Sequence, residues 1–178
     1  MYKRQVYGAF IRSFGTIKKK QFTADFQCIK QIKKNIDAGT HVLLFPEGRV
    51  SIDGTTGYIA PSIGKLIKFL DCTVVAGVTH GGYTGGPKWG KPRRTKVTLK
   101  LAPVLTKEEI KNMSAADIAA KITNSLRFDD NRNLVEEHRK ISRCNKRAEG
   151  LEKILYKCPR CGAEFKNVTK GNVMKCEQ

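Results

Sequence analysis

The run Val42-Leu43-Leu44-Phe45 ends at Pro46, which has no amide hydrogen to give to a sheet ladder. A short segment that is apolar on both faces reads as a buried strand. Its abrupt end gathers Glu47, Gly48, Arg49 and Ser51 into one tight loop. A strand that delivers such a set at its C-terminal end is how open α/β sheets build ligand sites. Gly48 permits close approach of the backbone, and Arg49 presents a planar fork suited to phosphate oxygens. The same residues would also serve as an ordinary strand exit with solvated charges, because Pro-Glu-Gly is common in turns.

The flanking segments alternate between helix and strand. Thr23 or Asp25 can cap a helix that runs through Asp37 and stops at Gly39, with Phe26, Ile29, Ile32 and Ile36 on one face as core. Ile63, Leu66, Ile67 and Leu70 recur at helical spacing after Pro61. Thr73 to Val78 is a β-branched run that reads as a second buried strand, ending at Thr79-His80-Gly81-Gly82. A Gly/Pro-rich loop then carries Trp89 and the cations Lys91, Arg93 and Arg94. Val97, Leu99 and Leu101 share one face of a half-exposed strand. Thr106-x-x-Glu109 and Ser114-x-x-Asp117 have the form of capping boxes for a helical stretch to about Phe128. This order predicts an α/β domain over 1–128, a charged linker over 129–150 and a small module over 151–178.

The balance of charge narrows the partners. The chain holds 34 Lys+Arg against 16 Asp+Glu, a formal net charge of +18. Such a chain is drawn to polyanions: nucleic acid, an anionic membrane surface or phosphorylated substrates. No run reaches the roughly 18 apolar residues of a transmembrane helix, and residues 1–20 are too polar for a signal peptide. The expected location is the cytoplasmic face of a membrane, as a peripheral protein. Trp89 among cations suits a membrane interface, and it would suit single-stranded nucleic acid or simple packing under a loop as well.

Phe45-Pro46-Glu47-Gly48, continued by Arg49-Val50-Ser51, resembles the Phe-Pro-Glu-Gly-Thr-Arg-Ser signature of the glycerolipid (lysophosphatidic acid) acyltransferase superfamily. Here Arg49 stands in the family's threonine slot and Val50 in its arginine slot. Gly15-Thr16-Ile17, followed by Lys18, Lys19 and Lys20, is similar to the family's second block, which contributes to the phosphate pocket. The resemblance implies a glycerol-3-phosphate acyltransferase-like sheet with crossover helices. It also implies transfer of a fatty acyl group from a coenzyme A or acyl-carrier-protein thioester to the free hydroxyl of lysophosphatidic acid or a similar lysophospholipid, in bacterial-type phospholipid biosynthesis. Arg49, Ser51, Lys18, Lys19 and Lys20 would then meet the acceptor phosphate, and Glu47 would organise the loop around Gly48.

In that family a His-x4-Asp motif does the chemistry. The imidazole takes the proton of the acceptor hydroxyl, and the aspartate holds the ring. The residues five positions after His41, His80 and His138 are Pro46, Gly85 and Arg143, so the motif does not occur. It is expected to lie upstream of Met1 in an N-terminally longer protein, which would leave the given piece inactive. His80 is the one internal candidate base.

At the other end, Cys158-Pro159-Arg160-Cys161 is a Cys-x-x-Cys knuckle, Cys176 follows after 14 residues, and Lys170-Gly171-Asn172 offers a hairpin turn between them. This is the pattern of a zinc ribbon, here with three thiolates of four, in which a structural Zn²⁺ is held tetrahedrally. Cys144 could supply a fourth thiolate. Cys28 and Cys72 read as small buried hydrophobes. A rival reading takes the ribbon, the basic charge and Trp89 together as a non-enzymatic nucleic-acid-binding protein. That reading leaves the Phe-Pro-Glu-Gly segment unexplained, so nucleic acid is not the expected partner.

Overall fold

Helix α1, Phe26–Asp37, begins where Asp25 accepts the amide hydrogen of Cys28 at 3.1 Å, and ends at Gly39 with φ +78°. In this computed structural model residues 15–17, 19, 25–138 and 144–178 are described. Helix α2 spans Ser62–Leu70, strand β1 Val74–His80, the single turn α3 Gly82–Gly85 and strand β2 Thr98–Leu105. Helices α4, Lys107–Asn112, and α5, Ala115–Ser125, follow directly. Both capping predictions hold. Thr106 and Glu109 close a reciprocal box, and Ser114 accepts from the amide of Asp117.

The core lies among the helices and one end of the sheet. Cys28 and Ile32 of α1, Ile63, Ile67 and Leu70 of α2, and Ile118 and Ile122 of α5 close on Leu105 and Ile110. Phe26 was expected in this core but points to solvent, and Cys28 takes its place on the buried stripe. Helices α2 and α5 touch at Gly64, where an added Cβ would lie 1.8 Å from the Ala115 carbonyl oxygen. Only hydrogen fits there.

Strand pairing differs from the sequence expectation. The architecture is mixed helix and strand, with two small antiparallel sheets, β1–β2 and, near the C-terminus, β3 (Asn167–Lys170) with β4 (Val173–Cys176). β1 and β2 run antiparallel, from Val75 opposite Pro103 to His80 opposite Thr98. An α/β sheet with crossover helices requires parallel neighbours, and none occurs among the described residues. Val42 to Phe45 forms no ladder. Val42 packs against the core, while Leu43 and Phe45 are 80% and 75% exposed. The physical reason is that a strand needs a partner edge for its amides, and an apolar run supplies none by itself. Leu99 and Leu101 alternate as predicted, but on the outer face of the sheet, 59% and 67% exposed.

The charged stretch after Phe128 begins as structure. Helix α6, Asp130–Glu136, is capped by Asp129, which accepts from the amides of Asn131 and Arg132. Asp130 at its first position is 1% exposed. The segment leading into the C-terminal residues meets the loop before β2: Arg93 Nη2 donates to the Arg147 carbonyl at 2.7 Å, and a Cβ on Gly150 would lie 2.0 Å from the Trp89 carbonyl oxygen.

Candidate functional site

The Pro46-Glu47-Gly48 turn is closed by the Gly48 amide donating to the Phe45 carbonyl at 3.1 Å. Gly48 has φ +65° and open space where a Cβ would stand, so its glycine serves the backbone rather than a close neighbour. Glu47 reaches across the loop, and its Oε2 accepts the Gly57 amide hydrogen at 2.7 Å. Glu47 therefore ties the two limbs of residues 46–58 together.

Ser51 is used inside the loop. Its hydroxyl donates to the Thr55 carbonyl at 2.8 Å and accepts from the Gly54 amide at 2.9 Å. That leaves it poorly placed for a phosphate. Asp53 completes the turn by accepting from the Thr55 amide and hydroxyl, and these two donors, in that order, hold its carboxyl below the ordinary range. The far limb is then tied to the segment before α6. The Thr56 amide donates to the Phe128 carbonyl at 3.0 Å, and the Asp130 amide donates to the Gly54 carbonyl at 2.8 Å.

Asp130 joins this loop to the end of β1. Its carboxylate oxygens accept from the amides of Gly81, at 2.7 Å, and Thr84, at 3.0 Å. Sequence reasoning missed it, because the surrounding run of charge reads as solvated. The one available signal was the Asp129-Asp130 pair standing just before Leu134 and Val135, a helix start rather than a linker. His80 is packed edge-on against Phe128, ring centroids 5.2 Å apart, and its buried Nδ1 has no hydrogen-bond partner among the described residues.

The basic loop closes the other side. Tyr83 lies over Gly54, where any Cβ would meet its ring at 2.5 Å, and its hydroxyl accepts the Trp89 indole hydrogen at 2.9 Å. The Arg93 guanidinium lies over the Trp89 ring, 4.9 Å from its centroid. Between these parts open two adjoining cavities. One, of about 420 Å³, is lined by Arg49, Val50, Ile52, Lys88, Trp89, Lys153 and Ile154. The other, of about 380 Å³, shares Trp89 and Ile154 and reaches Asp53, Arg93 and Asn131.

Of the residues expected to bind phosphate, the structure thus brings Arg49 to a cavity, and Glu47 and Gly48 to the turn that aims it. Lys19 sits near Cys28 of α1 and does not line the cavity; Lys18 and Lys20 lie outside the described residues. Lys88 and Lys153 are the cations the sequence did not single out.

Cys158, Cys161 and Cys176 converge, their sulfur atoms all within 4.8 Å of one another. β3, Asn167–Lys170, and β4, Val173–Cys176, form a two-residue hairpin with φ +61° at Gly171, as expected of Lys170-Gly171-Asn172. Cys161 Sγ and Cys176 Sγ stand 3.6 Å apart. Two thiolates on one tetrahedral ion at about 2.3 Å stand about 3.8 Å apart, and this pair is of that order. The amide hydrogens of Cys161 and Arg160, with the Cys161 thiol, pull the Cys158 thiol down to about 7. The Gln178 amide acts the same way on Cys176, but desolvation and the two neighbouring cysteines outweigh it, and that thiol is raised. Three close cysteines can hold a metal ion, and Cys144 is not part of the cluster. Burial raises the Cys28 and Cys72 thiols, in keeping with packing roles.

No protein-family model, curated protein or solved structure matches the chain. Among the described residues no helix is long and apolar enough to cross a membrane.

Proposed function

We propose that this chain holds the phosphate of a lysophospholipid, lysophosphatidic acid or a near relative, as the acceptor in fatty acyl transfer from a thioester. The observation that carries the reading is the position of Arg49. It leaves the Pro46-Glu47-Gly48 turn and opens into a cavity with Lys88 beside it and Val50, Ile52 and Trp89 as apolar wall. Two cations suit a phosphate monoester, and the apolar wall suits the start of an acyl chain. The Phe45-Pro46-Glu47-Gly48 resemblance supplies the reaction class, with coenzyme A or acyl carrier protein as the donor's carrier. The chain's own groups bind and orient the acceptor in this reading. The base that would take its hydroxyl proton is not assigned to any of His41, His80 or His138. The basic surface would favour an anionic bilayer, where such acceptors reside.

Binding to single-stranded nucleic acid receives less support. The Trp89 indole donates to Tyr83 and carries Arg93 on its ring, so it is engaged internally rather than offered as a stacking platform.

The test is a binding comparison between short-chain lysophosphatidic acid and the matching monoacylglycerol, both below their micelle concentrations. Preference for the phosphate ester, lost in Arg49→Gln, is the expected result. Equal affinity for the two lipids, or equal binding by Arg49→Gln, would overturn the reading.

A further inference from the structure

The cavity beside Arg49 is not built by the N-terminal part alone. Lys153 and Ile154 form part of its wall; Lys153 ends the 3-10 turn Leu151–Lys153 that opens the C-terminal module, and Ile154 directly follows it. This turn has little structure of its own, and its position is set by the cysteine hairpin. Across the β3–β4 ladder Cys176 is paired with Asn167. The buried Asn167 carboxamide donates to the Leu155 carbonyl at 2.6 Å. Thr169, on the same strand, accepts the Gly150 amide at 3.1 Å and also bonds the Glu152 carboxylate. On the knuckle side the Phe165 amide donates to the Tyr156 carbonyl at 2.6 Å. The turn is thus fixed from below by the cysteine-bearing strands and from above by Trp89, whose carbonyl closes on Gly150.

We propose that the Arg49 cavity is a two-module site for an amphiphilic phosphate monoester, in which Lys153 is the third cation, Ile154 extends the apolar wall, and metal binding at Cys158, Cys161 and Cys176 keeps both in place. The proposal rests on the acceptor-binding reading given above and adds to it a metal-dependent half of the site. Arg49, Lys88 and Lys153 all line one opening, and a doubly charged phosphate suits three cations better than a singly charged group does. A hairpin of two four-residue strands is marginally stable in water by itself, so removing the metal should loosen the support under the turn.

The experiment uses the full chain loaded with one equivalent of zinc, the same chain after chelation, and the variants Arg49→Gln, Lys153→Gln and Lys153→Gln/Ile154→Ser. Lys153 is exposed, so its replacement leaves folding intact. The probes are short-chain lysophosphatidic acid, the matching monoacylglycerol and inorganic phosphate. In the zinc-loaded chain Lys153→Gln should weaken lysophosphatidic acid binding about tenfold, the loss of one charge-assisted contact. Chelation should weaken wild type by at least as much and leave the double variant unchanged, since the wall it supports is already gone.

Failure to bind zinc at one equivalent overturns the proposal. So does chelation that weakens the double variant as much as wild type, because the metal would then act elsewhere. If Arg49→Gln weakens binding while chelation and Lys153→Gln do not, the coupling fails and the acceptor reading stands. If the phosphate ester is not preferred over monoacylglycerol, the acceptor reading itself fails. Inorganic phosphate bound as tightly as the lipid overturns the amphiphile assignment.

Discussion

The Glu47 carboxylate and the Gly57 amide, ten positions apart in sequence, meet at 2.7 Å, and a Cβ on Gly57 would stand 2.8 Å from that same carboxylate oxygen. The pair is matched: an acidic side chain long enough to reach, and a backbone bare enough to receive it. Arg49 Nε lies 3.7 Å from the same vacant Cβ position, so the clamp also sets where the guanidinium starts.

Glu47→Ala removes the acceptor and leaves the Gly57 amide unpaired, which should cost about 2 kcal/mol of stability. Glu47→Gln keeps a carbonyl oxygen at the same reach and should lose less. Gly57→Ala should resemble Glu47→Ala, because it displaces the carboxylate without removing it. Urea unfolding of the three variants checks the order, and a Glu47→Gln loss equal to that of alanine would show that geometry, not hydrogen bonding, sets the cost.

Asp130 should be the most sensitive carboxylate in the domain. It is buried and accepts two amides at the end of β1, while its own amide holds Gly54. Asp130→Ala strands two buried donors and should cost about 3 kcal/mol, roughly 6–12 °C in Tm for a chain of this size. Asp130→Asn retains one acceptor and should fall between. A calorimetric melt of Asp130→Ala indistinguishable from wild type would place this residue back in a solvated linker.

Two glycines should respond in opposite measure. Gly64→Ala drives a methyl group into the Ala115 carbonyl, and packed helices cannot give way by that distance, so about 3 kcal/mol or more is expected. Gly48→Ala meets nothing and should cost only about 1 kcal/mol for its positive φ. Thermal melts of both should separate them clearly.

Acid should weaken the fold through three named carboxylates. Asp53 is lowered by the Thr55 amide and hydroxyl, Glu109 by Lys121 and then the Thr106 amide, and Glu152 by the Thr169 hydroxyl. In each the folded state binds its proton less readily than the unfolded chain does. The stability they give is therefore complete above the unfolded carboxylate values near about 4, and is lost as pH falls through those values and below. Urea midpoints should be flat from neutral to mildly acidic pH and then drop. Asp53→Asn should shallow that drop, and an unchanged slope would exclude Asp53 as a contributor.

Local signals in the chain were legible because they act within one turn of backbone. Thr106 with Glu109, Ser114 with Asp117, Asp25 before α1 and Gly171 in the hairpin each do what their residue types dictate, since the groups they satisfy lie three or four residues away. The cysteine spacing likewise brought three sulfur atoms together, because a knuckle and a two-residue hairpin leave little freedom between them. Ser51 shows the limit of such reading. Its type suits a phosphate, but its hydroxyl is taken up by the Thr55 carbonyl and the Gly54 amide within its own loop.

What the sequence by itself determined was where the helices at Asp25, Thr106 and Ser114 start, which cysteines meet, and which turn carries Arg49. Tertiary structure alone decided which apolar residues are buried and which cations share a cavity. Val42 to Phe45 has the composition of a strand but no partner edge among the described residues, and Leu99 and Leu101 alternate correctly on the outer side of their sheet. Lys88 and Lys153 are 65 positions apart, and they meet at Arg49 only because Trp89 and the cysteine hairpin close on the same turn of chain. Capping and turn formation are settled by neighbours in sequence, whereas burial and charge convergence depend on distant segments choosing each other, and no local residue pattern records that choice.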